Sequence, residues 1–73
     1  MQNNSRILGL LVGKVGSTEE PIEAYDNSLN RCILNAGTKI LVLEENGYDL
    51  TMLSCGAVVY CSSEDIDKLR FEF

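Results

Sequence analysis

Seventy-three residues make one small domain, and a hydrophobic share of 45% sets the chain apart from disordered sequences. Eleven acidic residues against six basic ones leave a formal charge of −5, which argues against direct nucleic-acid binding, since phosphate affinity comes from Lys and Arg. The chain has no histidine, so Ser–His, Cys–His and His–metal schemes have no basis.

Residues 1–5 are polar and read as a disordered N-terminus, with a single domain over 6–73. The apolar run that follows spans only about six residues, too short for a secretory core, and no stretch reaches the roughly 18 apolar residues of a membrane helix. A cytoplasmic protein with no membrane partner is therefore expected.

Residues 6–15, RILGLLVGKV, predict a first strand apolar on both faces: Leu8, Leu10 and Val12 on one, Ile7, Leu11 and Val15 on the other. Two readings stand side by side. One is a core strand bent at its glycines, the other a strand with one face covered by another subunit. Residues 16–21, GSTEEP, predict a polar turn, and Glu19, Glu20, Glu23 and Asp26 make an acidic stretch. RCIL at 31–34 reads as a short strand.

The most informative stretch is 37–66. KILVL at 39–43 predicts a strand buried on both faces, or a core strand of a tiny barrel. Asn46-Gly47 marks a tight turn, because both residues tolerate positive φ. In the next strand, 48–53, Tyr48, Leu50 and Met52 alternate with Asp49 and Thr51, so the first three are expected inside. A turn at Ser54-Cys55-Gly56 leads to the strand AVVYC at 57–61, in which Tyr60 is expected to pack. Ser62-Ser63-Glu64-Asp65 then predicts a capped helical turn, with a serine oxygen accepting free amide hydrogens and acids at the positive end. At the C-terminus, KLRFEF at 68–73 alternates strictly, with Leu69, Phe71 and Phe73 on one face, and predicts a last strand.

Several of these pieces, in this order and almost without gaps, resemble SH3-like domains of the bacterial type. They are Gly37-Thr38-Lys39, Val42-Leu43-Glu44-Glu45, Gly56 and Ser62-Ser63-Glu64-Asp65-Ile66; Ala24-Tyr25-Asp26 is similar to the opening of eukaryotic members. The resemblance covers residues 24–66, and it implies that residues 21–29 are the long first loop and that the first strand, 6–15, pairs with the last, 68–73. It implies an all-β fold, a small barrel of five to six antiparallel strands with one short helical turn near the C-terminus. Peptide-binding members carry a Trp where this chain has Asp49, and a Pro and a Tyr where it has Ser62 and Asp65. The resemblance thus implies the barrel and not proline-rich peptide binding.

Cys32, Cys55 and Cys61 are an odd number without a CxxC pair, which reads as reduced thiols; Cys32 and Cys61 are expected in the core and Cys55 exposed, with a Cys32–Cys61 bridge as the alternative. No phosphate loop or calcium loop is present. No catalytic, cofactor or metal site is expected.

What remains is function by contact. The first reading is a non-catalytic protein-binding module acting through loops and a sheet edge. Tyr25 and Tyr48 would offer contact area, and Asp26, Glu44, Glu45, Asp49, Glu64 and Asp65 charge complementarity toward a basic partner. The plainer reading of each residue is ordinary surface or packing. The second is a small acidic inhibitor, similar in size and charge to proteins that phages direct at host machinery, occluding a basic or nucleic-acid-facing surface. The third is a self-assembling homo-oligomer built through Leu8, Leu10, Val12, Phe71 and Phe73.

Overall fold

The three strands most legible in the sequence become the middle of a sheet. The computed structural model describes residues 11–72. The strands are β1 Val15–Thr18, β2 Ile22–Tyr25, β3 Arg31–Leu34, β4 Lys39–Glu45, β5 Asp49–Ser54, β6 Ala57–Ser62 and β7 Leu69–Phe71, with a 3-10 helix at Ser63–Lys68. Every pairing is antiparallel, and the order β3-β2-β6-β5-β4-β1-β7 curls into a half-barrel. The all-β class and the one short helical turn agree with the sequence; the strands among the described residues number seven rather than five or six.

The inner face of the curl is the core. Ile22 and Ala24 from β2, Val42 from β4, and Leu50 and Met52 from β5 are buried, as are Val59 and Cys61 from β6. Strict alternation holds in β4: Ile40 and Val42 point inward, while Leu41 and Leu43 point outward, Leu43 being 39% exposed. The KILVL run is thus not buried on both faces. A bulge between Val42 and Glu44 then shifts the register, placing Glu44 opposite Thr51 and Glu45 opposite Leu50. Glu45 therefore lies in a strand and faces inward, although its sequence position suggested a turn.

The two tight hairpins follow the expected turn chemistry. Cys55 and Gly56 both have positive φ, 53° and 80°, as a two-residue hairpin of the mirror-image type requires. Between β4 and β5, the Asn46 side-chain oxygen accepts the amide hydrogens of Tyr48 and Asp49 at 2.9 and 2.8 Å. β5 starts only after this turn, so Tyr48 leaves the sheet and is 82% exposed instead of joining Leu50 and Met52 inside. At the 3-10 helix, Ser62 is the N-cap and its hydroxyl accepts the Glu64 amide, as the sequence predicts.

Two expectations need correction. Residues 21–29 are not simply a loop: β2 alternates Ile22 and Ala24 inward with Glu23 and Tyr25 outward, and it bridges β3 and β6. The first strand of the described chain is Val15–Thr18, not a segment ending at Val15. Residues 11–14 turn instead, with Gly13 at φ 86° donating to the Val42 carbonyl at 2.8 Å and Leu11 buried in the core. The remainder of that expected strand, 6–10, and the N-terminus 1–5 lie outside the described residues. The last strand does pair with the first described one, but the ladder runs through Gly16–Thr18, part of the expected polar turn, and not through 6–15: Gly16 lies opposite Phe71 and Thr18 opposite Leu69.

Thr18 closes the structure on the other side. It is buried, and its hydroxyl donates to the Asn35 carbonyl at 2.7 Å and accepts the Thr38 amide at 3.1 Å. The turn between β3 and β4 is thereby fastened to β1. Cys61 is buried and Cys32 packs against the core, both as free thiols, and Cys55 is exposed.

Candidate functional site

Two loops and the outer ends of β2 and β6 enclose a cleft of about 560 Å³. The first loop is shaped by Asp26. One of its carboxylate oxygens accepts the amide hydrogens of Ser28 and Asn30, both at 2.9 Å, and its carbonyl accepts the Leu29 amide at 2.9 Å. These bonds, the Asn30 amide first, hold the Asp26 carboxyl below its usual range, so it stays ionised at neutral pH. The turn forces Leu29 to φ 66°, a region costly for an ordinary side chain, and holds it 80% exposed at the cleft. Tyr60 ties this loop to the sheet, its hydroxyl donating to the Asn27 side-chain oxygen at 2.8 Å.

The second wall is the loop between β4 and β5. The Asn46 turn presents Tyr48 and Asp49, and the start of the 3-10 helix braces it: the Ser63 amide donates to the Tyr48 carbonyl at 2.9 Å and the Ser63 hydroxyl to Gly47 at 3.0 Å. The floor comes from cross-strand pairing, in which Tyr25 lies opposite Tyr60. All three tyrosines of the chain therefore line one cleft with Asp26, Asp49 and Leu29. The ion pairs among the described residues are Glu23–Arg31, Glu72–Lys39, Asp65–Lys68 and Glu19–Arg70. Neither cleft carboxylate takes part in one.

Of the residues singled out in the sequence, the fold brings Tyr25, Asp26, Tyr48 and Asp49 together. Glu44 stands on the outer face of β4, exposed, and Glu45 points to the inner face. Glu64 and Asp65 lie in the 3-10 helix, where Asp65 pairs with Lys68 at 3.4 Å. Val12 is exposed in the turn before β1, and Phe71 packs against the core; Leu8, Leu10 and Phe73 lie outside the described residues. The sequence reading missed Asn27, Leu29 and Tyr60 as parts of a site. For Tyr60 the signal was present, since it alternates with the inward Val59 and Cys61. That its row continues onto Tyr25 depends on the β2–β6 pairing, which no local pattern encodes.

Cys61 contributes to the cleft wall but not as a nucleophile. Burial first, then the charges of Asp65 and Asp49, push its thiol up to about 12, so it is protonated at neutral pH. No group of three or more His, Cys, Asp or Glu side chains among the described residues is placed to hold a metal ion. No described helix is long and apolar enough to cross a membrane. Comparison with protein-family models, curated proteins and solved structures finds no match.

Proposed function

We propose that this chain is a non-catalytic binding module, a barrel of the SH3-like kind, that takes a basic segment of a protein partner into the tyrosine cleft. The observation that carries the reading is the convergence of three tyrosines and two carboxylates on one cleft, with no ion pair to either acid among the described residues. A lysine or arginine side chain suits such a site twice over. Its charge pairs with Asp26 and Asp49, and its flat or aliphatic portion packs on tyrosine rings. Tyr48 and Leu29, the two most exposed large hydrophobic residues, would flank the occupant and shield those pairs from water. The antiparallel half-barrel is compatible with the SH3-like resemblance, while the aromatic lining differs from the Trp-based groove of proline-rich readers. Three free thiols suit a reducing, cytoplasmic setting.

The test is a titration of isotope-labelled protein with a pool of short arginine- and lysine-bearing peptides, against the same pool with those residues replaced by glutamine. Amide shifts are expected at Tyr25, Asp26, Tyr48, Asp49 and Tyr60 with the basic pool alone. Tyr48→Ala and Asp49→Ala should each weaken binding about tenfold. Equal response to both pools, or shifts confined to other faces, would sink the proposal.

Leu29 provides a separate check. Leu29→Gly should raise stability by about 0.5 kcal/mol, since relief of the left-handed backbone slightly exceeds the added entropy of the unfolded chain. The same change should lower affinity for the basic peptides. Urea unfolding measures the first effect and the titration the second; a variant less stable than the parent would show that Leu29 serves the fold.

A further inference from the structure

The outer face of the sheet carries a second surface beside the cleft, with Val58 two residues from Tyr60 on the same face of β6. Register places Val15 opposite Leu41, Leu41 opposite Leu53, and Leu53 opposite Val58. Four aliphatic side chains thus form one continuous row across β1, β4, β5 and β6, on the side away from the core. Val15 is 41% and Leu53 36% exposed, and Leu43 adds a fifth apolar group beside them. A solvent-facing sheet surface ordinarily alternates polar residues at these positions.

The charges beside this row identify its occupant. Along β4 the outward positions read Lys39, Leu41 and, past the bulge, Glu44. A basic group lies on one side of the row and an acidic group on the other, on the same strand. Turning a second copy by a half rotation about an axis along the row lays aliphatic row on aliphatic row. The same rotation brings Lys39 of each copy over Glu44 of the other, twice by symmetry. Among the described residues Lys39 has only a loose pair with Glu72, 3.7 Å apart with both side chains exposed, which is readily exchanged.

We propose that this face is a homodimer contact, closed by the aliphatic row and fixed in orientation by two reciprocal Lys39–Glu44 ion pairs. The curl of the half-barrel makes the face convex, so contact is confined to the rows around Leu41 and Leu53 and association is concentration-dependent. Asp49 lies four residues beyond Leu53 along β5, so the carboxylate end of the cleft is clear of the aliphatic row.

Light scattering across a concentration series tests this. The wild-type mass is expected to rise from monomer toward dimer as concentration increases, and Leu41→Lys to remain monomeric with an unchanged circular dichroism spectrum. Leu53→Lys serves the same purpose should Leu41→Lys not fold. Lys39→Glu and Glu44→Lys should each weaken association about tenfold, because each sets like charges face to face. Mixing these two variants should restore it, since every facing pair in the mixed dimer is then opposite in charge. A wild-type protein monomeric at every concentration would overturn the proposal, and so would a mixture that associates no better than either variant alone.

Discussion

Gly16→Ala is expected to destabilise the protein by about 3 kcal/mol, a large share of the few to roughly ten kcal/mol available to a domain of this size. Gly16 sits in β1 between β4 and β7, buried, with Ile40 opposite on one side and Phe71 on the other. A Cβ at this position would meet the Arg70 carbonyl oxygen at 2.6 Å and the Phe71 ring at 3.0 Å. The nearer atom belongs to the backbone, so no rotamer change relieves the clash; β7 itself must move. Among the described residues β7 is an edge strand whose only ladder is to β1, extended by the Glu72 amide donating to Val15 at 3.0 Å and the Glu19 amide donating to Lys68 at 2.7 Å. Displacing it also withdraws Leu69 and Phe71 from the core. Urea unfolding should therefore show a lower midpoint for Gly16→Ala, whereas Ser17→Ala, one residue on and facing outward, should change little. Equal midpoints for Gly16→Ala and the parent would mean that β7 does not hold against β1 in solution.

The same strand shows where the sequence was silent. β4, β5 and β6 announce themselves through alternation, an Asn-Gly turn and a Cys-Gly turn, because each is stabilised largely by its neighbours in sequence. β1, Val-Gly-Ser-Thr, has almost no strand signature of its own. It is held by ladders on both sides, to β4 and β7, and by the Thr18 hydrogen bonds to a turn some twenty residues away. The apolar run before it drew the expected strand toward the N-terminus. β2 was the reverse case. Ile22 and Ala24 do alternate with Glu23 and Tyr25, but the SH3-like resemblance placed a long loop there. In the site, Tyr25, Asp26, Tyr48 and Asp49 were legible as amphipathic and acidic groups suited to contact. Their union into one cleft was not, because it depends on β2 crossing to β6 and on the Asx turn that lifts Tyr48 out of the β5 face.

Glu45→Met is expected to stabilise the protein by about 2 kcal/mol at neutral pH, the reverse of what loss of a charged residue in an exposed turn would do. The bulge at Val42/Glu44 turns Glu45 inward, in a row with Leu50 and Cys61. Both of its carboxylate oxygens are closed to solvent and neither has a hydrogen-bond partner. Burial raises the Glu45 carboxyl above its ordinary value, so the fold favours the protonated acid over the carboxylate. The stability this group allows is thus fully present below the ordinary glutamate value and is lost as pH rises through the raised one. Asp26 works in the opposite sense: its lowered carboxyl contributes stability at neutral pH that is lost on acidification. Comparing variant with parent cancels Asp26 and isolates Glu45. The gain from Glu45→Met should therefore be greatest at pH 7 and shrink on acidification toward pH 4, in paired urea titrations. Glu45→Gln, which removes the charge but keeps an unpartnered polar group, should recover only part of that gain. A Glu45→Met variant less stable than the parent at pH 7 would mean that the carboxylate has a partner in solution, and the inner face of β4 would then be the place to look for it.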